Sequence, residues 1–222
     1  MKTKIIPLIV TILAIPASQA AVNATTTFSF DDLRAGQNGS VSEGSFSFDG
    51  LSGTGTPTAT ISYTLTADFD ADGIDDTLSF DLIASTADGN TGTNAAGFVG
   101  IGGPRFGDGQ TITYTANVSG AEFTASSGDI FTANFDGFTG VDFGQVFEGS
   151  ALIINGTSFA TEPSGLTPAQ QFDITVSSGP NQTVDPFING VDFDITVEEV
   201  PEPSSTALLG LGALGFLARR RR

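Results

Sequence analysis

The sequence contains no cysteine, no histidine and no tryptophan, and only two tyrosines. Without cysteine there is no disulfide framework and no thiolate nucleophile or ligand. Without histidine there is no imidazole base, no Ser-His-Asp arrangement and no imidazole-held zinc. Positive charge is equally scarce away from the ends. Of eight Lys and Arg, six are Lys2, Lys4, Arg219, Arg220, Arg221 and Arg222, which leaves Arg34 and Arg105 against 24 of the 25 acidic residues between residues 21 and 199, a net charge near −22. Such a surface repels phosphate backbones and anionic lipid, so nucleic acid is excluded as a partner. The chemistry left over is a carboxylate pair, as in glycoside hydrolysis, but acids are spread along the whole chain and no pair stands out by spacing. The chain is therefore expected not to be an enzyme.

The two ends carry what the middle lacks. The chain starts MKTKIIPLIVTILAIPASQAAV, with lysines at 2 and 4, an apolar run over residues 5–15 and small residues around Ser18 and Ala20. This order is that of a secretory signal peptide over residues 1–21, removed by signal peptidase. The chain ends VPEPSSTALLGLGALGFLARRRR. Residues 204–218 span about 22 Å as a helix at about 1.5 Å per residue, against a hydrocarbon core of about 30 Å, so they make a short transmembrane helix that needs bilayer thinning. The arginines behind it stay cytoplasmic and place the acidic part outside.

Val200, Pro201, Glu202 and Pro203, followed by the short Leu/Gly/Ala span and by Arg219, Arg220, Arg221 and Arg222, resemble the PEP-CTERM sorting signal of Gram-negative bacteria. The resemblance covers residues 200–222. It implies processing by an exosortase, a membrane-embedded transpeptidase-like enzyme, export through the inner membrane, transient membrane association through the helix, and exopolysaccharide as a candidate partner. Pro201 and Pro203 keep the junction extended and accessible to such an enzyme. Nothing in the resemblance says what residues 22–199 do.

Between the ends, apolar residues recur with period two: Phe28 and Phe30; Ile61, Tyr63 and Leu65; Leu78, Phe80 and Leu82; Phe172, Ile174 and Val176; Val191, Phe193, Ile195 and Val197. Thr, Ser and Asp between them mean one buried and one wet face, the pattern of antiparallel strands. Asn155-Gly156 and Asn189-Gly190 read as hairpin turns. The sequence predicts ten to twelve short strands in one all-β domain over residues 22–199, a single antiparallel β-sandwich of jelly-roll-like kind. The phenylalanines, 18 of them before Phe216, fill its core, and Tyr63 and Tyr114 are expected there too.

The strongest local chemistry is ADFDADGIDDTLSF. Asp68, Asp70, Asp72 and Asp76 stand at loop positions 1, 3, 5 and 9, the Ile74 carbonyl at position 7, and Gly73 permits the turn. A hard cation with flexible oxygen coordination suits this set, which predicts structural calcium. The loop resembles the strand-flanked calcium loops of thrombospondin type 3 and integrin-type repeats. It departs from an EF-hand because position 12 is Ser79 and the flanks are strands. The alternative reading of the loop is a solvated acidic hairpin. Gly100, Gly102 and Gly103 ahead of Pro104 and Arg105 lack the Lys-Ser/Thr of a phosphate loop and precede a strand, so they read as a turn.

Together these features predict an exported, exosortase-sorted cell-surface or extracellular-matrix protein with a structural or adhesive role. The alternative is a calcium-assisted carbohydrate-binding module.

Overall fold

The computed structural model describes residues 25–93, 99–101, 107–118, 121–143, 151–159, 163, 165–177 and 188–200. The signal peptide, the helix over residues 204–218, Pro201, Glu202, Pro203, the four terminal arginines and Arg105 lie outside these residues. Among the described residues every element is a strand, and no helix is long and apolar enough to cross a membrane.

The described residues form fourteen strands, more than the ten to twelve expected, because short edge pieces add to the long alternating ones. They are β1 (Thr25–Leu33), β2 (Gly39–Val41), β3 (Gly44–Ser52), β4 (Thr58–Ala67), β5 (Asp76–Ser85), β6 (Thr91–Thr93), β7 (Val99–Ile101), β8 (Thr111–Asn117), β9 (Ala121–Thr124), β10 (Ile130–Phe143), β11 (Ala151–Ile154), β12 (Thr157–Phe159), β13 (Gln171–Ser177) and β14 (Ile188–Glu199). A six-stranded sheet has the order β6-β7-β14-β10-β9, with β1 also on β14; an eight-stranded sheet runs β12-β11-β13-β8-β5-β4-β3-β2. Among the described residues every ladder is antiparallel. Asn23–Val200 forms a compact unit of its own.

The period-two pattern sorts the side chains as the sequence implies. Along β4, Ala59, Ile61, Tyr63, Leu65 and Ala67 are buried and the intervening Thr and Ser are not; Leu78, Phe80, Leu82 and Ala84 of β5 repeat this in register. A one-residue slip would turn every one of these side chains to water, which is what fixes the register. Phe48 is half-buried, and a bulge between Phe48 and Gly50 shifts the rest of β3 by one residue against β4. Rings from the two sheets meet in one core: Phe30 of β1 lies 5.2 Å from Phe80 of β5, and Phe138 of β10 lies 5.3 Å from Phe172 of β13. Both tyrosines are buried in it.

Of the two Asn-Gly pairs read as hairpin turns, one makes the expected turn. Asn155 and Gly156 have φ of 49° and 81° and close the β11–β12 hairpin, as a tight hairpin turn with both central residues left-handed demands. Asn189-Gly190 does not turn: both residues lie inside β14. Here glycine serves close approach instead of positive φ. The β1 backbone bulges between Phe30 and Leu33, and a Cβ on Gly190 would stand 2.4 Å from the carbonyl carbon of Asp32. Asn189 is held by side chains, accepting from Arg34 Nη1 at 3.1 Å and donating to Asp142 Oδ2 at 2.6 Å.

Gly190→Ala is therefore expected to cost about 2 kcal/mol by forcing β1 away from β14. Chemical denaturation of residues 23–200 measures it, and an unchanged midpoint contradicts the close approach.

Candidate metal centre

The acidic loop joins β4 to β5, and two features of its sequence shape it. Phe69, between Asp68 and Asp70, alternates inward: it is 6% exposed and packs edge-on against Phe28 at 5.6 Å and Phe123 at 5.1 Å. Ala71 and Gly73 then take φ of 58° and 86°, folding the chain back over the acids. The only loop acid that is buried is Asp76, the first residue of β5.

The loop's carboxylates collect its own N–H groups. Asp68 accepts from Asp72 N at 3.0 Å and Gly73 N at 2.9 Å; Asp70 accepts from Asp72 N at 3.1 Å; Asp72 accepts from Ile74 N at 2.7 Å. One carboxylate oxygen from each of Asp68, Asp70 and Asp76 lies within 4.8 Å of the others. Asp72 is not part of that group; its Oδ2 takes the Ser126 hydroxyl at 3.1 Å. Ile74 is 59% exposed at the loop tip.

The second half of the site comes from the other sheet. Ser126, in the turn between β9 and β10, donates its N–H to Asp76 Oδ1 at 2.7 Å, and Phe69 N donates to Asp76 Oδ2 at 3.4 Å. Sequence reasoning gave no sign of this turn, which is 50 residues downstream of Asp76 and has no spacing relation to the loop. The Ser127 hydroxyl, then the Asp72 N–H, hold the Asp70 carboxyl below the usual carboxylate range. Asp70 Oδ2 is shut away from solvent yet accepts no hydrogen bond.

A second group of acids shows the opposite electrostatics. Asp32, with φ of 53°, donates its N–H to Asp192 Oδ1 at 2.8 Å, and the Asp192 carboxylate lies over Gly140, where a Cβ would stand 2.1 Å from Oδ2. Burial, above all, raises the pKa of both Asp32 and Asp192; nearby carboxylates including Asp142 add to this. The folded unit thus binds protons at these groups more tightly than the unfolded chain does. Their contribution to stability is largest below the unfolded value near 4 and declines as pH rises through the raised folded values. Asp70, shifted the other way, contributes above that value and loses its contribution as pH falls.

Asp192→Asn, which keeps an oxygen for the Asp32 N–H, is expected to raise stability at neutral pH by about 0.5 kcal/mol, a small figure because water still screens the group. The gain should vanish below about pH 4. Thermal melts across pH check this, and a gain that persists at low pH contradicts the electrostatic cause.

A groove at the β11–β12 edge is lined by Ile154, Phe159, Leu166, Pro168 and Phe172 among others, and none of its described lining residues is an acid.

No curated protein and no solved structure matches the chain. One family model does: residues 199–222 match the PEP-CTERM protein-sorting motif. That match includes Val200, Pro201, Glu202, Pro203 and the four terminal arginines, and it begins at Glu199, the last residue of β14. The chain thus carries the sorting motif of PEP-CTERM proteins, the mark of an exported protein that an exosortase handles.

Proposed function

We propose that this PEP-CTERM chain is a structural or adhesive protein of the cell surface or extracellular matrix, built as one antiparallel β-sandwich of jelly-roll-like kind over residues 22–199 and working without catalysis. The observation that carries the reading is the pairing of the sorting motif at residues 199–222 with a unit whose conspicuous side chains are spent on packing. The lack of His, Cys and, beyond Lys4, Lys in the sequence supports a non-catalytic role. Both tyrosines are in the core, so neither is a stacking platform for a sugar ring. The structural reading is therefore favoured over the carbohydrate-binding one. Signal peptidase removes residues 1–21 and the exosortase acts on the segment 200–222, whose helix holds the chain at the membrane until then.

Structural calcium at Asp68, Asp70 and Asp76 belongs to the same reading, with Asp72 and the Ile74 carbonyl in the loop as further oxygens. What supports it is the fit of the residues: three carboxylates converge, and the buried Asp70 Oδ2 lacks a partner that a cation would supply. Such an ion offsets the repulsion among the loop acids and tightens the tie to Ser126.

Calorimetry on residues 23–200 is expected to show calcium binding with Kd of about 10⁻⁴ to 10⁻³ M and about 1.4 kcal/mol of stabilisation at ten times Kd. Asp70→Asn should abolish both. Absence of heat and of any thermal shift at millimolar calcium would refute the site. For sorting, deletion of residues 200–222 followed by cell fractionation should alter processing and retention; an unchanged distribution contradicts the assignment.

A further inference from the structure

Two large apolar side chains stand exposed among the described residues, Ile74 at 59% and Ile130 at 43%. Isolated apolar residues are ordinary on a protein surface. These two, however, share one end of the unit. Ile74 donates its N–H to Asp72 Oδ1, Asp72 Oδ2 takes the Ser126 hydroxyl, and the turn holding Ser126 runs directly into Ile130 at the start of β10. The Ile130 carbonyl accepts the N–H of Val200 at 2.7 Å, so the half-buried Val200 stands opposite it across the ladder. Thr25, where β1 begins, is paired with Glu198 at the same end. Both directions of the chain therefore leave the sheet beside the acidic loop. Only Pro201, Glu202 and Pro203 separate Val200 from the apolar residues 204–218 in sequence, and three residues reach about 10 Å when extended.

We propose that this end of the unit docks on an anionic phospholipid bilayer in a calcium-dependent manner, with Ile74 and Ile130 entering the headgroup region and the ion bridging the loop carboxylates to lipid phosphates. The inference rests on the calcium reading above. Calcium takes six to eight oxygens, more than the three converging carboxylates of Asp68, Asp70 and Asp76 provide, so phosphate oxygens can fill positions that the loop leaves open. Without the ion, the exposed carboxylates at this end, Asp68, Asp72, Asp75 and Glu198, carry the same sign as the lipid and keep the surface off. With it, two isoleucines gain apolar surroundings for little ordering, since Ile74 lies in a hydrogen-bonded loop and Ile130 begins a paired strand.

The test is cosedimentation of residues 23–200 with vesicles of phosphatidylglycerol and phosphatidylcholine, and with phosphatidylcholine alone, in calcium or in chelator. Binding is expected only to the anionic vesicles in millimolar calcium, weakened about tenfold by Ile130→Ser, a substitution outside the loop. Calorimetric calcium binding by the Ile130→Ser protein shows that its loss is not one of folding. Calcium heat without vesicle binding overturns this inference and leaves the calcium site standing. Neither heat nor vesicle binding overturns both. Vesicle binding that ignores calcium, or that Ile130→Ser leaves intact, also overturns the docking surface.

Discussion

The contact between the phenylalanine rings of the two sheets carries this structure. Phe30 stacks on Phe193 at 4.7 Å and meets Phe46 and Phe80 of the opposite sheet at 5.5 and 5.2 Å; Phe80 in turn stacks on Tyr63 at 5.4 Å. With no cysteine in the chain, no covalent staple shares the load. Each fully buried ring supplies on the order of 1.5–3 kcal/mol, and aromatic pairing adds to that. The same packing reaches the acidic loop through Phe69, which is wedged against Phe28, Phe123 and Phe131. The position of the carboxylates is thus a consequence of the core.

The loop is also where the two sheets are joined by polar bonds. Asp76 starts β5 in the eight-stranded sheet, and its partner Ser126 precedes β10 in the six-stranded one. A buried carboxylate held by two backbone N–H groups is costly to disturb, because losing either leaves charge without compensation. Other acids lie singly on wet strand faces, as with Asp81 on Ser62 and Asp173 on Thr113, while this loop gathers several in one place.

How much could be read beforehand follows from the range of each interaction. Strand identity and facing depend on residues two apart, so β4, β5, β13 and β14 were legible from alternation, as was the Asn155-Gly156 turn. Spacing marked the acidic loop, but it could not show that Asp68, Asp70 and Asp76 converge while Asp72 turns to Ser126. Asn189-Gly190 misled because the same dipeptide serves a tight turn and a close strand approach, and only the distant Asp32 backbone tells them apart. The Ser126 turn and the inward Phe69 were not legible as parts of the site, since nothing local links residue 126 to residue 76. The sorting motif was fully legible, being a linear address read by position and composition.

The dependence of everything on one shared core is tested most directly by hydrogen exchange on residues 23–200 under native conditions. Central amides of β10 and β14 in one sheet and of β4 and β5 in the other should open with the same free energy and the same denaturant dependence, as one cooperative unit. If one sheet exchanges freely while the other stays protected, the rings between them do not hold the fold together.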